Sequence, residues 1–86
     1  METIKLFQPI TVANSTYETL NLRRPKVRDR LAVERMKKTD AEKEITMIAN
    51  LAEVSTDVIE ELDLADYAKV QKVLQDFLEP GPATLD

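Results

Sequence analysis

The side chains best suited to chemistry in this chain are carboxylates, and they crowd one stretch: Asp57, Glu60, Glu61, Asp63 and Asp66 fall within ten residues. Paired carboxylates can act as general acid and general base across a scissile bond. The same groups could hold a hard cation, but a calcium loop needs alternating oxygen ligands and a glycine at its sharp turn, and the only glycine is Gly81. There is no histidine and no cysteine. The commonest general base and the strongest side-chain nucleophile are therefore missing, as are the softer ligands of a transition metal. Ser15 and Ser55 have no activating group near them in sequence, and Ser55 is better placed to cap a helix. No glycine-rich phosphate cradle is present. A chain of 86 residues is also too short to surround a deep pocket, so the acidic stretch reads as a solvated face. The residues point to a binding protein rather than an enzyme, with no catalytic residues, no metal and no cofactor.

The second concentration of charge is basic. Arg23, Arg24, Lys26, Arg28, Arg30, Arg35, Lys37 and Lys38 are interrupted only by Asp29 and Glu34, a local net of +6. That density could track phosphates, which makes a small DNA-binding regulator the chief alternative reading. No aromatic side chain is interleaved to stack on bases, and the whole chain is acidic, with a net charge of −4 and a pI near 4.8. Nucleic acid is therefore not the expected partner. Residues 1–44 carry a net +3 and residues 45–86 a net −7. Such a chain shows two different faces to protein partners and admits pairing with itself, head to tail.

Hydrophobic periodicity supplies the elements that hold these groups. Ile4, Leu6, Ile10 and Val12 share one parity, the mark of a half-buried strand, with Pro9 breaking it or confining it to an edge. Ala13-Asn14-Ser15-Thr16 reads as a turn with Asn14 left-handed, and Tyr17–Leu22 as a second strand with Leu20 and Leu22 inward. From Val27 to Pro80 there is neither proline nor glycine, which favours helices near 27–37, 41–53, 56–61 and 64–78. Asp40, Ser55 and Asp63 are the expected N-caps. The fold class is α+β: an N-terminal β-hairpin, then three or four helices, mostly helical, in one domain over 1–78. Glu79–Asp86, with Pro80, Gly81 and Pro82, is expected to be a disordered tail. On the last helix Tyr67, Val70, Leu74, Phe77 and Leu78 form an apolar stripe that serves either as core or as a surface for another helix.

No basic-then-apolar leader and no membrane-length apolar run is visible, so a cytoplasmic protein is expected, and the sequon Asn14-Ser15-Thr16 is read as carrying no glycan. A fold this small, without disulfide or metal, gains stability from self-association or a partner surface.

The order of these segments resembles a known family. Lys5-Leu6 with Pro9-Ile10 is followed by a polar turn and then by Leu20-Asn21-Leu22-Arg23-Arg24-Pro25-Lys26-Val27-Arg28-Asp29. Leu62-Asp63-Leu64-Ala65-Asp66-Tyr67 then leads into Val70-Gln71-Lys72-Val73-Leu74-Gln75-Asp76-Phe77-Leu78. Over residues 4–78 this resembles the tail assembly chaperones of Mu-like and related contractile-tailed phages. It departs from the family at the first turn, where members often carry a glycine and this chain has Asn14 nearby. The resemblance implies a role in the host bacterial cytoplasm, with the phage tape measure protein as partner. Such chaperones keep that very long helical protein soluble until the tail tube polymerises around it, and they are absent from the finished tail. A structural tail component that stays in the particle is the remaining alternative. The residues expected to meet the partner are Tyr67, Val70, Leu74 and Phe77 of the stripe and Arg23, Arg24, Arg28 and Arg30 of the basic segment.

Overall fold

The computed structural model describes residues 1–78; the tail expected over 79–86 lies outside the described residues. Two antiparallel strands, β1 (Glu2–Val12) and β2 (Ser15–Leu22), are followed by four helices: α1 (Val27–Glu34), α2 (Asp40–Ala52), α3 (Thr56–Glu60) and α4 (Leu64–Phe77). The α+β class and the hairpin-then-helices order are as the sequence predicts.

The hairpin closes through a two-residue loop, since Val12 pairs with Ser15. Such a loop needs positive φ at both central residues to match the twist of the strands. Asn14 (φ 68) was expected to adopt it, and Ala13 (φ 51) adopts it too, although a Cβ disfavours that region. Leu20 and Leu22 are buried from β2, and Ile4 and Leu6 from β1. Opposite them α2 contributes Ile48, Ala49 and Leu51, α3 and the turn after it contribute Val58, Ile59 and Leu62, and α4 contributes Val70 and Phe77. The helical period of α2 and α4 and the two-residue period of the strands thus turn their apolar faces to one core. The hairpin packs on α2, α3 and α4, whereas α1 rests on α2.

The pairing of β1 and β2 is interrupted between Lys5–Thr19 and Ile10–Tyr17, so that β1 carries a bulge around Leu6–Pro9. Pro9 has no N–H to offer a ladder and suits an unpaired stretch. The two amides freed there find a side chain instead: Phe7 N donates to Asp66 Oδ1 at 2.7 Å and Gln8 N to Asp66 Oδ2 at 3.0 Å. Asp66, grouped by sequence with a solvated acidic face, is fully buried. It sits in the first turn of α4, where the helix dipole favours a negative charge, and Lys69 Nζ lies 3.3 Å from its Oδ1. Burial pushes its pKa up, but the Gln8 and Phe7 amides and Lys69 outweigh burial, and the net shift is downward.

Helix ends depart from expectation at two places. Thr39, not Asp40, caps α2: its Oγ1 accepts from Glu42 N at 3.2 Å while Glu42 Oε1 accepts from Thr39 N at 3.0 Å, a reciprocal capping box. Helix α1 does not run on to residue 37 as expected. It stops at Glu34, and the Met36 N–H closes the last turn on Val33 O at 3.1 Å. Asp63 caps α4 as expected, with Oδ2 accepting from Ala65 N at 2.9 Å. Ser55 holds the cap position of α3 without a side-chain hydrogen bond.

Candidate functional site

Helix α1 is the least apolar element of the fold, and the way it is attached creates the site. Of its residues only Val33 and Asp29 are buried, while Val27 and Leu31 stand 77% and 49% exposed. Asp29 acts as a polar fastening. Its carboxylate receives both terminal nitrogens of Arg23 at 2.9 Å and the Lys26 amide at 2.7 Å. The bidentate Arg23 contact, the Lys26 amide and the neighbouring Arg charges hold the Asp29 carboxyl well below the usual carboxylate range against the effect of burial. Arg23 is itself anchored through its amide, which donates to Leu51 O at 3.1 Å in the last turn of α2, where helix carbonyls lack internal partners. Arg24 closes the other side. Its Nη2 donates to Phe77 O at 2.9 Å at the carboxyl end of α4, and its guanidinium lies over the Phe77 ring at 5.2 Å.

Held in this way, α1 does not close against α4. A groove of about 470 Å³ lies between α1, α2 and α4. Its walls include Pro25, Val27 and Val33 on one side, Met47 at the floor and Leu74 and Leu78 on the other. Lys26, Arg30, Lys43, Glu34, Asp40 and Glu44 form its polar edge. Most of those acids are already engaged. Glu34 lies 3.9 Å from Arg30 and 3.8 Å from Lys43, and Glu44 accepts from Tyr67 Oη and from Gln71 Nε2. Burial, and then the Glu44 carboxylate, push the Tyr67 phenol well above its ordinary value, so Tyr67 remains a neutral donor.

The structure separates the eight residues singled out from the sequence. Leu74 and Arg30 meet at the groove. Val70 is fully buried, Phe77 is buried beneath Arg24, and Tyr67 is half-buried against Glu44. Arg23 and Arg24 are occupied inside the fold, and Arg28 points to solvent. Two of the eight cations in the basic segment are thus committed to holding helices rather than free for phosphates. Val27 and Met47 escaped attention as site residues, while Leu78, part of the predicted apolar stripe, also lines the groove. The available signal was the pair Val27 and Leu31, which share one face of an α1 whose remaining surface is mostly charged. The carboxylates of α3 do not converge with Asp66, and among the described residues no group of three or more acidic side chains is placed to hold a metal. Among the same residues no helix is long and apolar enough to cross a membrane.

The sequence of the family described as phage tail assembly chaperone proteins, E, or 41 or 14, matches residues 3–79. The chain belongs to that family. The match spans hairpin and all four helices, so the groove of this tail assembly chaperone lies wholly inside the family domain. No curated protein and no solved structure matches the chain. The groove brings the apolar side chains Val27, Val33, Met47, Leu74 and Leu78 together within that domain.

Proposed function

We propose that this tail assembly chaperone binds the phage tape measure protein in the bacterial cytoplasm, receiving the apolar ridge of one of its helices in the groove between α1, α2 and α4. The observation that carries the reading is that groove, with Val27 and Leu78 left 77% and 71% exposed at its walls. A long amphipathic helix aggregates through its apolar face unless something covers it. Helix-in-groove docking covers that face through a few spaced anchors, and many copies of a small module protect a long client. Leu74, Val27, Met47 and Leu78 supply the apolar contact, and Arg30 and Lys43 the charged edge. Tyr67, Val70 and Phe77 support the wall from beneath, and Arg23 and Arg24 fix α1 and α4 on either side. The work is binding, without bond-breaking chemistry.

Co-expression with the tape measure protein tests the reading. The wild-type chain should raise the soluble fraction of the client and co-purify with it, and Val27→Glu with Leu78→Glu should abolish both effects while the circular dichroism spectrum is unchanged. Undiminished capture by that variant would refute the groove as the site. Salt-sensitive retention of duplex DNA with no capture of the client would instead support a DNA-binding regulator. Mass spectrometry of purified particles should find no copies of the chain, since a structural tail component would remain in the tail.

A further inference from the structure

The two walls of the groove differ in charge. Residues 26–38, which form α1 and the short segments on either side of it, hold Lys26, Arg28, Arg30, Arg35, Lys37 and Lys38 against Asp29 and Glu34, a net of +4. All six cations are exposed. Of the two acids, Asp29 is buried on Arg23, and Glu34 is shared between Arg30 at 3.9 Å and Lys43 at 3.8 Å. Lys26 and Arg30 stand on the groove itself. Arg28 and Arg35, seven residues apart, share the outward face of the same helix.

The opposite wall is neutral. Residues 70–78 carry one base and one acid, Lys72 and Asp76, and these lie 2.9 Å apart. Past Leu74 and Leu78 the surface is lined by Ala68, Gln71 and Gln75 and by the Glu44 carboxylate. Helix α1 is about 12 Å long at 1.5 Å per residue, so a helix laid along it makes about two turns of contact. A client ridge of that length offers apolar anchors at i, i+3 or i+4 and i+7. The positions beside the ridge then fall against the two walls, one flank on the cations of α1 and the other on the amides of α4. A carboxylate on the first flank meets Lys26 and Arg30 within a field of further cations, and a lysine there meets like charge. A carboxylate on the second flank faces Glu44.

We infer that the client segment taken up by the groove is an amphipathic helix with carboxylates along one flank of its apolar ridge, and that it lies with that flank on α1. The inference rests on the groove as the client site. Turning such a helix end for end would set its acidic flank on α4 and Glu44, so the charge also selects the direction in which the client chain runs. The chaperone as a whole is acidic, with a net charge of −4, and repels an acidic segment from most of its surface while α1 attracts it. Client segments with basic flanks are passed over. Exposed ion pairs contribute little one at a time, so the selection comes from several acting together and fades with salt.

Two fluorescent peptides of equal length test this against the full chain by anisotropy. Both carry leucines at helical spacing and glutamines on one flank of the leucine ridge. The other flank is glutamate in the first peptide and lysine in the second. The glutamate peptide should bind about tenfold or more tighter at about 50 mM salt, and the difference should shrink below about threefold at about 500 mM. Lys26→Glu with Arg30→Glu should remove or invert that preference. Both residues are exposed, so the variant should keep the wild-type circular dichroism spectrum. Equal affinity of the two peptides at the lower salt, or an undiminished preference in that variant, overturns the inference and leaves the groove reading standing. Val27→Glu with Leu78→Glu should lose both peptides. Undiminished binding there, or no binding of either peptide to the wild type, removes the groove reading and the inference with it. A short DNA duplex that displaces the glutamate peptide at equal concentration would assign the cations to phosphate and overturn the inference as well.

Discussion

Replacing Asp66 by Asn should destabilise the fold as severely as replacing it by Ala. The carboxylate uses both oxygens, one on the Phe7 amide at 2.7 Å and one on the Gln8 amide at 3.0 Å, and none of its surface is exposed. Hydrogen bonds to an ionised acceptor contribute roughly 1.5–3 kcal/mol each, and an unsatisfied buried donor costs about 1–3 kcal/mol. Ala removes both acceptors. Asn keeps one oxygen but turns an NH2 group toward the second amide, a donor facing a donor. Phe7 and Gln8 are exposed residues whose amides can recover some water, so the lower part of the range applies, about 3 kcal/mol for either variant. A chain of this size has roughly 4–13 kcal/mol of stability in all, and such a loss should lower the melting temperature by about 12–24 °C. Lys69→Met is the control. Lys69 is 48% exposed, so its removal should cost under about 1 kcal/mol.

The same carboxylate sets a pH dependence. Its folded pKa is lowered, so the unfolded chain takes up protons first as pH falls. Asp66 therefore contributes its full stabilisation above the unfolded value of about 3.9 and loses it as pH drops through the lower folded value. Asp29 behaves alike, because Arg23 depresses it more strongly. Urea titrations at neutral pH and near pH 3 should show a loss of stability in the wild type that is smaller in Asp66→Asn. A melting temperature for Asp66→Asn within about 3 °C of wild type would refute the reasoning, because it would mean that the bulge amides do not need the carboxylate.

Phe77→Ala should cost about 3–5 kcal/mol in urea unfolding, since the ring is 8% exposed and also carries the Arg24 guanidinium. Ala13→Gly should stabilise the chain by roughly 1 kcal/mol, because Ala13 sits at φ 51 with a Cβ that opposes it; a lower urea midpoint would contradict that. Arg23→Ala should speed amide hydrogen exchange in α1 while α2 and α4 stay protected, because Asp29 loses its bidentate partner and Val33 alone remains buried.

The elements were legible where a period was long and uninterrupted. Ile4, Leu6, Leu20 and Leu22 alternate, and all four are buried, while Val70 and Phe77 repeat at helical spacing and meet the same core. What sequence could not show was the use made of polar groups across long separations. Asp66 binds amides 58 and 59 residues away, and Arg24 reaches a carbonyl 53 residues away, and no local pattern encodes either. Asp66 looks like its acidic neighbours until the strand it serves is placed beside it. The cap at Thr39 was readable in principle, since Thr39 and Glu42 have capping-box spacing, but Asp40 competes as an equally good cap residue. The groove was hidden for a different reason: it depends on what α1 fails to bury.

That failure is a property of how α1 is fastened. A helix held by apolar contacts slides until its side chains interdigitate with its neighbours, and the space beside it fills. Helix α1 has one buried apolar side chain, so nothing draws it across Met47 onto Leu74 and Leu78. Its place is set by the bidentate Arg23–Asp29 pair and by the Lys26 amide, contacts that specify direction and distance rather than closest packing. Arg24 on the Phe77 carbonyl fixes the far wall in the same manner. Polar fastening on both sides keeps two apolar surfaces apart when each would be better buried. A partner that supplies the missing apolar surface therefore gains the burial that the monomer forgoes, without first having to pull the walls open.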